Sequence, residues 1–123
     1  MKDLYIPPTR NTLEVKLETN GNLLFRGIST PENIKKFMTP IIDWLNEFKK
    51  TAPKKLSVNF EINYFNTVSS RYFYELILII DSFKENGCEI SFNWYYEEDD
   101  DDLLDLGEEF EQSAQVKFNY FTT

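Results

Sequence analysis

Four stretches of this chain alternate apolar and polar residues, and every interval between them contains an apolar stripe of helical spacing. The alternating stretches are Leu13–Leu17, Leu56–Tyr64, Cys88–Tyr96 and Val116–Tyr120. A period of two turns successive side chains to opposite faces of a strand, so each stretch reads as a half-buried strand. The first is followed by Asn20-Gly21, residues that tolerate positive φ, and then by Leu23, Leu24, Phe25 and Ile28. That pattern predicts a β-hairpin closed by a two-residue turn.

The helical intervals are equally marked. Ile34, Phe37, Met38, Ile41, Leu45 and Phe48 recur at steps of three and four, which predicts a helix over about residues 31–50. Thr30-Pro31 would start it, with the Thr oxygen as cap and Pro in the first turn. Pro40 should kink this helix, or end it and start another at Thr39. A second helix opens at Asn66-Thr67-Val68-Ser69-Ser70 and carries Phe73, Leu76, Ile77, Leu78, Ile79, Ile80 and Phe83. It is apolar nearly all round, which predicts deep burial. Asn86-Gly87 suits its end. Leu103, Leu104, Leu106 and Phe110 indicate a third, short helix, with residues 112–115 as a loop.

Strand–helix–strand units impose right-handed crossovers and parallel pairing, whereas the hairpin adds an antiparallel pair. The expected fold is therefore α/β: a mixed β-sheet with packed helices and an N-terminal β-hairpin, in a single domain spanning residues 1–123.

Composition closes off several functions. The chain has no histidine, so neither a Ser-His-Asp nor a Cys-His site can form within it. Its one cysteine, Cys88, has no partner for a disulfide and no companion at metal-ligand spacing; it reads as a small buried residue at a strand start. No phosphate loop, metal cluster or cofactor motif is present, so neither catalytic residues nor a cofactor are expected. Clustered carboxylates such as Glu32 and Asp99 leave acid–base catalysis as a weak alternative. The first eight residues lack the apolar stretch of a signal peptide, and Leu76–Ile80 is too short to span a bilayer, so the cytoplasm is the expected location.

The formal charge of −8 is unevenly placed. Residues 97–111 contain ten acids and no base, whereas the remainder has eleven acids against thirteen bases. Nucleic acids and anionic membranes are accordingly poor partners, and a basic protein surface is a better one. The run Glu97, Glu98, Asp99, Asp100, Asp101, Asp102 reads either as a solvated helix start, where acids suit the dipole, or as a partner-docking surface. It lacks the alternating ligands and mid-loop glycine of a Ca²⁺ loop.

The segment that best combines position and chemistry is Asn66-Thr67-Val68-Ser69-Ser70. Three hydroxyls lie within four residues at a helix N-terminus, where free N–H groups and the helix dipole favour an added phosphate. Asn, Thr and Ser are also ordinary caps, so the residues alone leave capping and a regulatory site both open. Ser29, Thr30, Glu32 and Asn33 would lie near Thr67 if both helix starts share the C-terminal edge of the sheet. Capping is the simpler reading of these four residues.

Four motifs in order carry a resemblance that covers nearly the whole chain. They are Gly27-Ile28-Ser29-Thr30-Pro31-Glu32-Asn33, Tyr64-Phe65-Asn66-Thr67-Val68-Ser69-Ser70, Trp94-Tyr95-Tyr96-Glu97 with the acids after it, and Gly107-Glu108-Glu109-Phe110. In these the chain resembles the SiaC family of bacterial regulatory phosphoproteins, which is related in architecture to anti-sigma-factor antagonists of the STAS type. The resemblance implies a phosphoacceptor at Thr67, a partner kinase of GHKL type and a PP2C-like phosphatase. It also implies an unphosphorylated form that binds and activates an effector such as a diguanylate cyclase. Val68 stands where a small polar residue is expected, which bears on partner choice and leaves the acceptor intact. The alternative is a constitutive structural or oligomerising module, whose sign would be a large apolar surface patch remote from Thr67.

Overall fold

The computed structural model describes all 123 residues. Its elements run β1 (Leu4–Ile6), β2 (Glu14–Leu17), β3 (Asn22–Ser29), α1 (Ile34–Lys50), β4 (Lys55–Phe65), α2 (Thr67–Asp81), a 3₁₀ turn (Ser82–Asn86), β5 (Glu89–Tyr96), α3 (Asp101–Ala114) and β6 (Phe118–Thr122). The six strands form one sheet in the order of the sequence. The pairs β1–β2 and β2–β3 are antiparallel, and β3, β4, β5 and β6 are mutually parallel. This is the expected mixed sheet.

Strictly sequential order has a geometric consequence. Each right-handed crossover steps to the next strand in the same direction, so all three helices fall on one face of the sheet. Consistent with this, α1 packs on α2 and α2 on α3. The helix-covered face holds the core, centred on Phe60 of β4. Its ring lies 5.4 Å from Phe25, 5.8 Å from Trp94 and 6.4 Å from both Phe73 and Phe118. The opposite face bears no helix. There Asn59, Asn93 and Asn119 stand in register across three strands, with Asn93 Nδ2 donating to Asn59 Oδ1 at 3.1 Å and Asn119 Nδ2 donating to Asn93 Oδ1 at 3.3 Å.

Several expectations require correction. The hairpin connection is three residues, Thr19-Asn20-Gly21, because Glu18 N–H donates to the Asn22 carbonyl at 3.0 Å and closes the ladder there. Gly21 has φ +98°, and a Cβ on it would come within 2.3 Å of the Lys55 carbonyl oxygen, so its position demands glycine twice over. Helix α1 starts at Ile34 with Asn33 as cap, its Oδ1 accepting from Lys36 N–H at 3.1 Å, rather than at Thr30-Pro31. It also runs without a break through Pro40. Thr39 and Pro40 are exposed, so the carbonyl that Pro40 leaves without a donor is on the solvent side. The buried stripe Ile34, Met38, Ile41, Leu45 and Phe48 is uninterrupted.

Helix α2 is buried on one face only: Phe73, Leu76, Ile77 and Ile80 are inside, and Leu78 is exposed. Helix α3 is not short. It continues through residues 112–114, because Ala114 extends the buried stripe of Leu103, Gly107 and Phe110 by one more turn. The three-residue strand β1, ahead of Pro7-Pro8, carries too few residues to show a period and was not expected.

Candidate functional site

The parallel strands β3 and β4 end side by side, with Ser29 opposite Phe65. The chain then turns over the sheet edge into α2. Asn66 makes that turn and caps the helix: its Oδ1 accepts from Ser69 N–H at 2.9 Å, and its carbonyl accepts from Ser70 N–H at 3.1 Å. Phe65 and Phe73 pack ring to ring at 5.2 Å, fixing the angle at which α2 leaves β4.

The three hydroxyls of the segment separate in this setting. Ser69 is fully buried, with 0% of its surface exposed, and its hydroxyl donates to the Ser29 carbonyl at 3.0 Å. Ser70 is half-buried. Thr67 is exposed on the first turn of α2, beside Val68 with 59% of its surface exposed. That turn contains no acid, so nothing there offsets the positive end of the helix dipole. One turn further, Arg71 is exposed and no carboxylate lies within 4.0 Å of it.

The neighbouring helix start is brought to the same sheet edge. Ser29 is the direct link, since its carbonyl also accepts from Asn66 N–H at 3.2 Å. It is, however, completely buried, which removes it from any partner interface. Thr30 is half-buried and donates its N–H to the Asn11 carbonyl at 2.8 Å. Glu32 and Asn33 are exposed, and Asn33 is occupied as the α1 cap. None of Thr30, Glu32 and Asn33 bonds to the Thr67 segment.

The acidic run divides in two. Asp100 is half-buried and caps α3, accepting from Leu103 N–H at 3.0 Å, as a helix start requires. Glu97, Glu98 and Asp99 form the exposed turn before it, and Asp101 and Asp102 are exposed in the first turn of α3. No three Asp, Glu, Cys or His side chains gather closely enough to hold a metal ion.

Two exposed apolar residues of this edge run against the sequence pattern. The β3–β4 register shifts after Gly27, pairing Gly27 with Ile62 but Ile28 with Tyr64, so Asn63 is an extra residue. The bulge turns Tyr64 away from the inward phase that strict alternation assigns to it. Tyr64 is 58% exposed, and Ile28 is also exposed. Gly27, with φ +111°, lies beside the bulge. Between Tyr64 and α3 lies a cleft of about 310 Å³, walled by Asp100 and Asp102 and floored by Phe65, Leu103 and Leu106.

Against this geometry, the model of the SiaC family of regulatory phosphoproteins matches residues 6–123. The chain belongs to that family. It is 27% identical over 119 residues to an uncharacterized protein of Pseudomonas aeruginosa strain UCBPP-PA14, an alignment covering 96% of this chain and 94% of the other. The crystal structure of apo-SiaC from Pseudomonas aeruginosa superposes with a TM-score of 0.87 at 27% identity, over 98% of both chains. A chain from the crystal structure of the diguanylate cyclase SiaD in complex with its activator SiaC, from the same organism, superposes with a TM-score of 0.90 at 25% identity. That match covers 98% of this chain and 100% of the other. A family of regulatory phosphoproteins agrees with the non-enzymatic reading of the sequence. No helix is long and apolar enough to cross a membrane.

Proposed function

We propose that this SiaC-family protein is a phosphorylation-controlled activator of a diguanylate cyclase, with Thr67 as the phosphoacceptor. The supporting observation is the sorting of the three hydroxyls: Thr67 is exposed at a helix N-terminus while Ser69 is sealed in the core. A phosphoryl group on Thr67 would lie at the positive end of the α2 dipole, and Arg71 lies at the i+4 position on the same helix face. It would also place close to two negative charges next to the exposed apolar Val68, at the sheet edge where Ile28 and Tyr64 are exposed, on a surface that a partner would otherwise desolvate.

On this reading the unphosphorylated protein binds and activates the cyclase, a GHKL-type kinase adds the phosphate, and a PP2C-like phosphatase removes it, all in the cytoplasm. A diguanylate cyclase is favoured as effector because the matched solved structures include SiaC in its role as activator of SiaD. The exposed apolar residues Ile28 and Tyr64 are paired at the ends of β3 and β4 and Val68 adjoins Thr67 in α2, so exposed apolar surface occurs at the sheet edge that carries Thr67, which favours a switch over a constitutive structural module.

The test is incubation with a GHKL-type kinase from the same genome and ATP, followed by intact-mass and peptide analysis. A gain of about 80 Da on Thr67, absent from Thr67→Ala, is the expected result. Modification confined to another residue would overturn the assignment.

A further inference from the structure

The cleft between Tyr64 and α3, which opens where β4 leads into α2, has an apolar floor and a wall of one charge only. Phe65, Leu103 and Leu106 form the floor, and Tyr64 stands over it on the β4 side. Asp100 and Asp102 line the other side, and the exposed Glu97, Glu98, Asp99 and Asp101 extend that charge outward. Arg26, which shares a neighbouring pocket with Asp100, is held by Glu14 at 2.8 Å, and Arg71 of α2 stands beyond Leu106 rather than in the cleft's lining. Ile28, paired with Tyr64 across β3 and β4, and Val68 of the first turn of α2 are further exposed apolar residues of this sheet edge. An apolar strip bordered by unpaired negative charge is complementary to an amphipathic segment with apolar residues on one side and Lys or Arg flanking them.

We propose that this edge is a docking groove for a cationic amphipathic segment of a partner protein, with an apolar side chain seated between Tyr64 and α3. The proposal rests on the reading of Thr67 as the switch, since it names the chemistry of the partner which that switch would control. It explains why the acids are concentrated on one turn despite their mutual repulsion: a partner's cations relieve it. The single-sign surface would also steer association and make its rate sensitive to salt.

The test uses a fluorescein-labelled synthetic amphipathic Leu/Lys peptide of about 18 residues, with a Leu/Glu peptide of the same pattern as control, read by anisotropy. The Leu/Lys peptide is expected to bind, and to weaken when salt rises from about 50 to 300 mM. The doubly charge-reversed Asp99→Lys/Asp102→Lys protein should lose at least ~10-fold in affinity, as should Tyr64→Ala/Val68→Ala. Glu85→Lys/Glu89→Lys makes the same change in net charge away from the groove and should stay within ~2-fold of wild type. Circular dichroism confirms that each variant is folded. Absence of binding, equal binding of the Leu/Glu peptide, or equal loss in the remote variant would each overturn the proposal. Neither kinase nor cyclase enters the measurement, so its failure is separable from failure of the Thr67 assignment.

Discussion

Ser29 and Ser69 are joined twice: the Ser29 hydroxyl donates to the Ser69 hydroxyl at 3.0 Å, and the Ser69 hydroxyl donates to the Ser29 carbonyl at 3.0 Å. Both residues are fully buried, forty positions apart in the sequence. They tie the end of β3 to the first turn of α2 and leave Thr67 outside. Ser69→Ala strips the buried Ser29 hydroxyl of its acceptor, which costs about 1–3 kcal/mol. Urea unfolding measures this. A double-mutant cycle with Ser29→Ala should recover a coupling of about 1 kcal/mol between the two sites.

The cap of α2 is a separable contribution. Asn66→Ala removes the acceptor of Ser69 N–H and should cost about 1 kcal/mol, whereas Asn66→Asp keeps a cap and should cost less. In contrast, Thr67→Ala and Thr67→Asp touch an exposed position, and both should stay within about 0.5 kcal/mol of wild type in the same unfolding experiment. Effects of the Thr67 variants on partner binding would then not arise from unfolding.

Gly107 marks the contact of α3 with the core. A Cβ there would lie 2.7 Å from Trp94 Nε1 and 2.8 Å from Trp94 Cε2. The indole cannot withdraw, because Phe60, Phe110 and Phe118 pack around it within 6 Å and its Nε1–H donates to the Leu103 carbonyl at 3.1 Å. Gly107→Ala should therefore destabilise the protein by about 1–3 kcal/mol, read by denaturation. It should also disturb the start of α3, where the acidic turn is anchored.

On the face without helices, Glu14 accepts from the Tyr5 hydroxyl at 2.8 Å and from Arg26 Nε at 2.8 Å. The Tyr5 hydrogen bond, then the Arg26 guanidinium, hold the Glu14 carboxyl below the usual carboxylate range, and the Tyr5 phenol is pushed up in turn. A depressed carboxylate favours the fold above its unfolded-state value, and that contribution is lost as pH falls through the folded value. Tyr5→Phe removes the larger cause, so the Glu14 pKa should move up toward the ordinary range in an NMR titration. An unmoved titration would contradict the assigned cause.

What the sequence disclosed follows from the length of each pattern. The stretch Leu56–Ile62 and the stripe of α1 repeat often enough for the period to identify both element and inward face. The position of Thr67 was legible for the same reason, since a long strand and a long helix meet at Asn66. The Ser29–Ser69 bonds were not legible, because nothing local distinguishes a serine that caps from one that bridges two elements. Nor was the exposure of Tyr64, because one extra residue at Asn63 reverses the phase of everything after it. Pro40 misled by type: its cost depends on whether the orphaned carbonyl is buried, and that is settled by the helix face on which it falls.

The central claim is that charge on Thr67 decides whether a diguanylate cyclase is bound. Its most direct test is the affinity of wild type, phosphorylated protein, Thr67→Ala and Thr67→Asp for the cyclase of the same genome, measured by titration calorimetry. Wild type and Thr67→Ala should bind alike, and the phosphorylated protein and Thr67→Asp should be weaker by at least ~10-fold. Equal affinity across all four would contradict it.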